Sequence, residues 1–117
     1  MPGPFMHRDD SYLMHILIAA RKILQKTDSV TYEQFLEDEN LQDSVVLQIA
    51  TIGEAACKIS TTTKEQNPEM PWHEIMSMRN RLIHEYNRID LSRVWETARH
   101  DIPALIRQTE PLVPSED

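Results

Sequence analysis

An all-α fold is the expectation for this 117-residue chain, and three observations carry it. Only two glycines are present, apolar residues recur at helical spacing, and no run of alternating β-branched residues reads as strand. The length sets one small domain with a single core. With 40% hydrophobic and 26% charged residues, the chain can bury that core and is not of disordered composition. The expected architecture is an antiparallel helical bundle of four to five helices over residues 8–110, between a flexible leader, 1–7, and a flexible tail, 111–117.

The first helix runs from about Asp10 to Lys26, because Leu13, Ile16, Leu17, Ala20, Ile23 and Leu24 share one face. Asp9 and Asp10 favour its positive N-terminal end. Thr31 and Gln34 form a capping box that opens a short helical turn carrying Phe35 and Leu36. A second long helix covers roughly Leu41 to Ser60. At about 100° per residue, Val45, Ile49, Ile52, Ala56 and Ile59 make one face. Val46, Leu47, Ala50, Gly53 and Cys57 widen the apolar arc to roughly 240°. A helix so apolar needs cover on two sides, and in a short chain a second copy can supply the second one. Cys57 reads as a small buried hydrophobe. Glu54 falls inside the arc, as a candidate buried carboxylate or an edge residue reaching solvent.

Residues 60–71 read as a polar, proline-containing loop, with Pro71 suited to the first turn of a third helix from Trp72 to about Tyr86. Asp90 caps a fourth helix whose buried face is Leu91, Val94, Trp95, Ala98, Ile102, Leu105 and Ile106. Pro103 kinks that helix or restarts it after Asp101. Trp72 and Trp95 are core residues before they are stacking platforms.

A net charge of −7 argues against a protein that coats nucleic acid through bulk electrostatics. The charge is segregated, however. Thr27 to Cys57 holds seven acids and no Lys or Arg, whereas Arg79, Arg81, Arg88, Arg93, Arg99 and Arg107 are half of the 12 basic residues. A local anion site on an acidic protein is therefore available. The single cysteine excludes an internal disulfide, and His7, His15, His73 and His100 show no metal-ligand spacing, so neither a metal nor a cofactor is expected. No apolar run is long enough to cross a bilayer, and the start lacks a basic-then-apolar signal layout; a cytoplasmic location is the expectation, with no membrane partner.

The third helix carries RNRLIHEY, Arg79 to Tyr86. Arg79 points into the middle of its apolar arc, where a guanidinium needs a carboxylate, a phosphate or a route to solvent. Asn80 and His84 are four apart and share the opposite face. Arg79 and His84 diverge by about 140°, so convergence on one ligand requires a helix end near His84, a long reach by Arg79, or a second protomer.

The pattern Arg79, Asn80, His84, Tyr86 resembles the signature of HEPN domains (higher eukaryotes and prokaryotes nucleotide-binding), in particular their HepT-like branch. Flanking matches extend the resemblance over most of the chain: the Asp-rich start of helix one, IGEA at Ile52 to Ala55, PW at Pro71 and Trp72, ID at Ile89 and Asp90, VW at Val94 and Trp95, and DIP at Asp101 to Pro103. The resemblance implies a homodimeric helical toxin of a type VII-like toxin–antitoxin system, a metal-independent endoribonuclease acting on RNA at a dimer cleft. It also implies an MntA-like minimal nucleotidyltransferase antitoxin that neutralises the toxin by AMPylating Tyr86. Arg79 and His84 would be catalytic, with Asn80 supporting their geometry; Glu54, singled out by its place on the arc of the second helix, is the other supporting candidate. Arg81 and Arg88 are either solvated surface or phosphate contacts beside the motif. A second reading is a noncatalytic accessory subunit of a nucleotidyltransferase, binding nucleotide or substrate through the same cluster.

Overall fold

Apolar residues at helical spacing bury themselves along one long first helix, α1, Pro4–Thr27, where Ile16, Ala20 and Ile23 are fully enclosed. The computed structural model describes the backbone of residues 4–114 and the side chains of residues 8–85 and 87–114. The helix starts six residues ahead of the expected position, and residues 1–3 of the expected leader lie outside the described residues.

Asp9 explains why the start of α1 matters. It is buried, and its carboxylate accepts from the Ser60 backbone N–H at 3.0 Å, from the Ser60 hydroxyl at 2.6 Å and from the Thr63 hydroxyl. Burial by itself would push this carboxyl up. The Ser60 and Thr63 hydroxyls, the Ser60 N–H and the charge of Lys64 outweigh it and hold Asp9 below its ordinary value. The contact ties the beginning of α1 to the end of α3, Glu39–Lys58, so the two helices run antiparallel. It also anchors α4, Thr61–Gln66, a helix capped by the Ser60 side chain where the sequence reads as loop. Six residues containing three threonines are a poor helix on their own. Asp9 supplies the missing support from 51 residues away.

Between α1 and α3, α2 spans Tyr32–Glu37 and opens with the expected capping box: Gln34 N–H to Thr31 Oγ1, and Thr31 N–H to the Gln34 side chain. Its Phe35 is fully buried, with its ring 5.1 Å from that of Trp95. The third long helix, α5, covers Trp72–His84, preceded by Pro71 at the cap. Asp90 caps α6, Leu91–Glu96, through the N–H groups of Ser92 and Arg93.

At Pro103 the α-helix restarts after Asp101, as expected, but with no gap in the helical backbone. A π turn, Thr97–Asp101, joins α6 to α7, Ile102–Thr109, and the Ile102 N–H reaches back to the Thr97 carbonyl. The wider turn absorbs the missing N–H of Pro103 and the clash its ring would make one turn back. Residues 91–109 thus form one rod. Arg99 in the π turn donates to the Thr27 carbonyl at 3.1 Å and lies over the Trp95 ring, closing the C-terminus of α1. A 3₁₀ turn, Glu110–Leu112, follows, with Leu112 and Val113 packed on the core; residues 115–117 lie outside the described residues.

The bundle is all-α, as expected, with α1, α3, α5 and the rod as its four long members and no strand among the described residues. α3 is flanked by α1 on one side and α5 on the other, so part of its second cover comes from the same chain. Leu47, 61% exposed, and Cys57 remain outside that cover; Cys57 is an exposed residue, contrary to expectation.

Candidate functional site

The chemistry-bearing motif lies on the last turns of α5, and its geometry begins with a glycine on α3. Gly53 is buried under α5 with a negative φ, so it is not needed for backbone freedom. It is needed for space. A Cβ at that position would stand 2.1 Å from Arg79 Cβ and 2.7 Å from Arg79 Cγ. The two helices therefore touch backbone to stem, and the base of the Arg79 side chain is clamped between them.

From that clamp the guanidinium reaches outward. Its Nη1 donates to Asn80 Oδ1 at 3.2 Å, and its Nη2 lies 3.7 Å from Glu54 Oε2, an ion pair beyond hydrogen-bond length. The Nε is buried without a hydrogen-bond partner. Arg79 is 28% exposed and Glu54 54% exposed, so Glu54 is not a buried carboxylate: it sits at the edge of the arc. There it lies between two cations, with Lys58 Nζ 4.0 Å from its other oxygen. The carboxylate demanded by Arg79's position on the apolar arc is present, held at arm's length.

His84 is the last residue of α5 and is exposed. The Glu85 N–H makes the last α-helical bond, to the Arg81 carbonyl at 2.8 Å; Glu85 itself leaves helical geometry with φ −116° and ψ 32°, and Tyr86–Arg88 turn as a 3₁₀ segment in which the Arg88 N–H meets the Glu85 carbonyl. A helix end at His84 is one of the conditions for bringing Arg79 and His84 onto one ligand. Among the described residues no hydrogen bond or ion pair joins the two. Asn80, next to Arg79, is tied to it directly. The Tyr86 backbone opens the 3₁₀ turn, and its side chain lies outside the described residues.

Arg81 and Arg88 are exposed on either side of His84. With His84, Arg81 places basic groups at the negative end of the helix dipole. Arg81 also borders a groove of about 830 Å³ between α5 and the rod, floored by Ile49, Ile52, Met78 and Leu105. Arg79, Asn80, His84 and Glu54 are not on its wall. Among the described residues no cluster of His, Cys, Asp and Glu is arranged to hold a metal ion. No helix among them is long and apolar enough to cross a membrane.

Sequence reasoning placed Gly53 on an apolar arc and missed its contact with Arg79. The available signal was a glycine inside a long helix, where alanine would be the better helix former.

Comparison with known proteins bears on this arrangement. Residues 16–112 match a family described as ribonuclease HepT-like. A protein of Thermococcus cleftensis named a probable ribonuclease HepT is 38% identical over 106 residues, covering 91% of this chain and 94% of its own. Provisionally named RNases of Methanocaldococcus jannaschii and Caldanaerobacter subterraneus are 34% and 32% identical, covering 88% and 90% of this chain and 85% and 94% of theirs. No solved structure matches significantly. With the matched region running from the middle of α1 to the final 3₁₀ turn, and so including the whole clamp around Arg79, the chain belongs to the HepT-like ribonuclease family.

Proposed function

We propose that this protein is an endoribonuclease that cleaves RNA without a metal ion, using Arg79 and His84 at the cleft of a homodimer. The observation that carries the proposal is the state of Arg79: a guanidinium clamped at its base, bonded to Asn80 through one nitrogen and only loosely paired with Glu54. Such a group has donors to spare for a phosphate. RNA cleavage by its own 2′-hydroxyl needs a base to take that proton while the oxygen attacks phosphorus. It also needs an acid to protonate the departing 5′-oxygen and a cation for the crowded phosphorane. Histidine serves as base or acid near neutrality, and arginine supplies the permanent charge. One chain holds one His84 at this motif, so two motifs facing each other across a dimer supply base and acid together.

In this reading the protein is the toxin of a type VII-like toxin–antitoxin pair. Its partner is an MntA-like nucleotidyltransferase that transfers AMP to Tyr86, two residues beyond His84. A nucleotide there brings bulk and negative charge next to Arg79 and blocks the phosphate site. The net charge of −7 favours the second reading, a noncatalytic nucleotide-binding subunit, because it weakens long-range attraction of RNA.

The deciding experiment incubates unmodified wild type, R79A and H84A with an RNA panel that includes tRNA, in EDTA, with intact mass recording any adduct on Tyr86. Cleavage by wild type and a loss of at least about 100-fold in both variants is expected. Equal activity in the variants would remove the catalytic assignment, and no cleavage by an adduct-free dimer would favour the accessory subunit.

A further inference from the structure

Resting on the ribonuclease reading, we propose that Gly53 is a positioning residue for the reaction: its missing Cβ lets α5 close on α3, and that closeness aims the Arg79 guanidinium at the scissile phosphate. Gly53 touches neither substrate nor reacting atoms. It acts through the base of the Arg79 side chain.

Three observations converge. Gly53 has an ordinary helical φ inside a twenty-residue helix, so conformational freedom does not account for it. The atoms that a Cβ would strike are Arg79 Cβ at 2.1 Å and Cγ at 2.7 Å, with the Ile75 carbonyl oxygen at 3.2 Å. These are backbone and near-backbone atoms of α5, which cannot swing aside as the end of a flexible side chain does. The third observation is the buried Arg79 Nε, which has no partner. Burying an N–H without a partner is unfavourable, so it persists only where packing dictates the path of the side chain. The path is set at its root by the glycine and at its tip by Asn80 and Glu54.

An alanine at 53 forces the helices apart by more than an ångström to restore ordinary contact, and the root of Arg79 moves with α5. Misplacement of a catalytic group on that scale costs about 100-fold in rate. The helix itself favours alanine, so a loss of activity in G53A runs against local propensity.

The test uses the full chain. Wild type, G53A and R79K are compared for RNA cleavage, for thermal melting and for the Nε–H signals of arginine in a ¹⁵N-correlated NMR spectrum, with R79K identifying the Arg79 signal by its loss. Three results are expected together: the wild-type Arg79 Nε–H exchanges with water far more slowly than that of exposed Arg107; folded G53A shifts that signal and speeds its exchange; and its kcat falls about 10- to 100-fold with KM changed less. A folded G53A with wild-type kcat overturns the proposal, as does a G53A that loses activity while the Arg79 signal stays unchanged. Should G53A fail to fold, the wild-type signal decides, because an Arg79 Nε–H exchanging as fast as that of Arg107 also overturns it. Failure of the ribonuclease reading is distinct: it shows as wild type that cleaves no RNA.

Discussion

Two of the three nitrogens of the Arg79 guanidinium have partners, and neither partner is close enough to saturate it. A planar fork with free donors suits a phosphate that gains charge in the transition state. Lysine at this position keeps the charge and loses the fork, along with the bond to Asn80 that orients it. R79K is expected to melt like wild type and to cleave RNA about 10- to 100-fold more slowly, read as kcat/KM on a defined RNA. A variant as active as wild type would mean that point charge suffices and that the geometry around Arg79 serves packing alone. Glu54 illustrates the difference between position on a helical wheel and burial: its direction was legible, but its exposure depends on where α5 ends its cover.

At the level of elements, the molecule is held by contacts between helix ends. Asp9 joins the start of α1 to the cap of α4, and Arg99 joins the π turn to the end of α1. Because the folded-state value of Asp9 lies below its unfolded value near 3.8, its contribution to stability is present above that pH and is lost as pH falls further. D9N, which keeps the shape and loses the charge, is expected to cost about 1–3 kcal/mol at pH 7. The gap from wild type should close as urea melts are repeated below pH 3.8. A gap that stays constant down to pH 2 would show that the ionised carboxylate is not what binds Ser60 and Thr63. The capping box of α2 and the Asp90 cap were legible because each is written within four residues. The α4 helix was not, because its support comes from α1.

Over the whole molecule, the helix that carries the clamp still shows apolar surface. Leu47 on α3 is 61% exposed, and Ile83, within the motif on α5, is 49% exposed. Exposed large apolar side chains on an otherwise charged surface mark contact sites, and the proposed dimer needs one beside Arg79 and His84. L47D combined with I83D is expected to shift the protein to monomer in sedimentation and to abolish RNA cleavage, with the melting of the monomer preserved. A double variant that remains a fully active dimer would place the interface elsewhere.

The primary structure alone determined the all-α class, the long helices, the caps at Thr31 and Asp90, and the motif on the third long helix, because these follow from interactions between residues three or four apart. The π solution at Pro103, the helix at 61–66, the exposure of Cys57 and Glu54, and the Gly53–Arg79 clamp came only with the tertiary structure. Each depends on how closely segments distant in sequence approach one another. Periodicity reports which way a side chain points, whereas packing decides what it meets there.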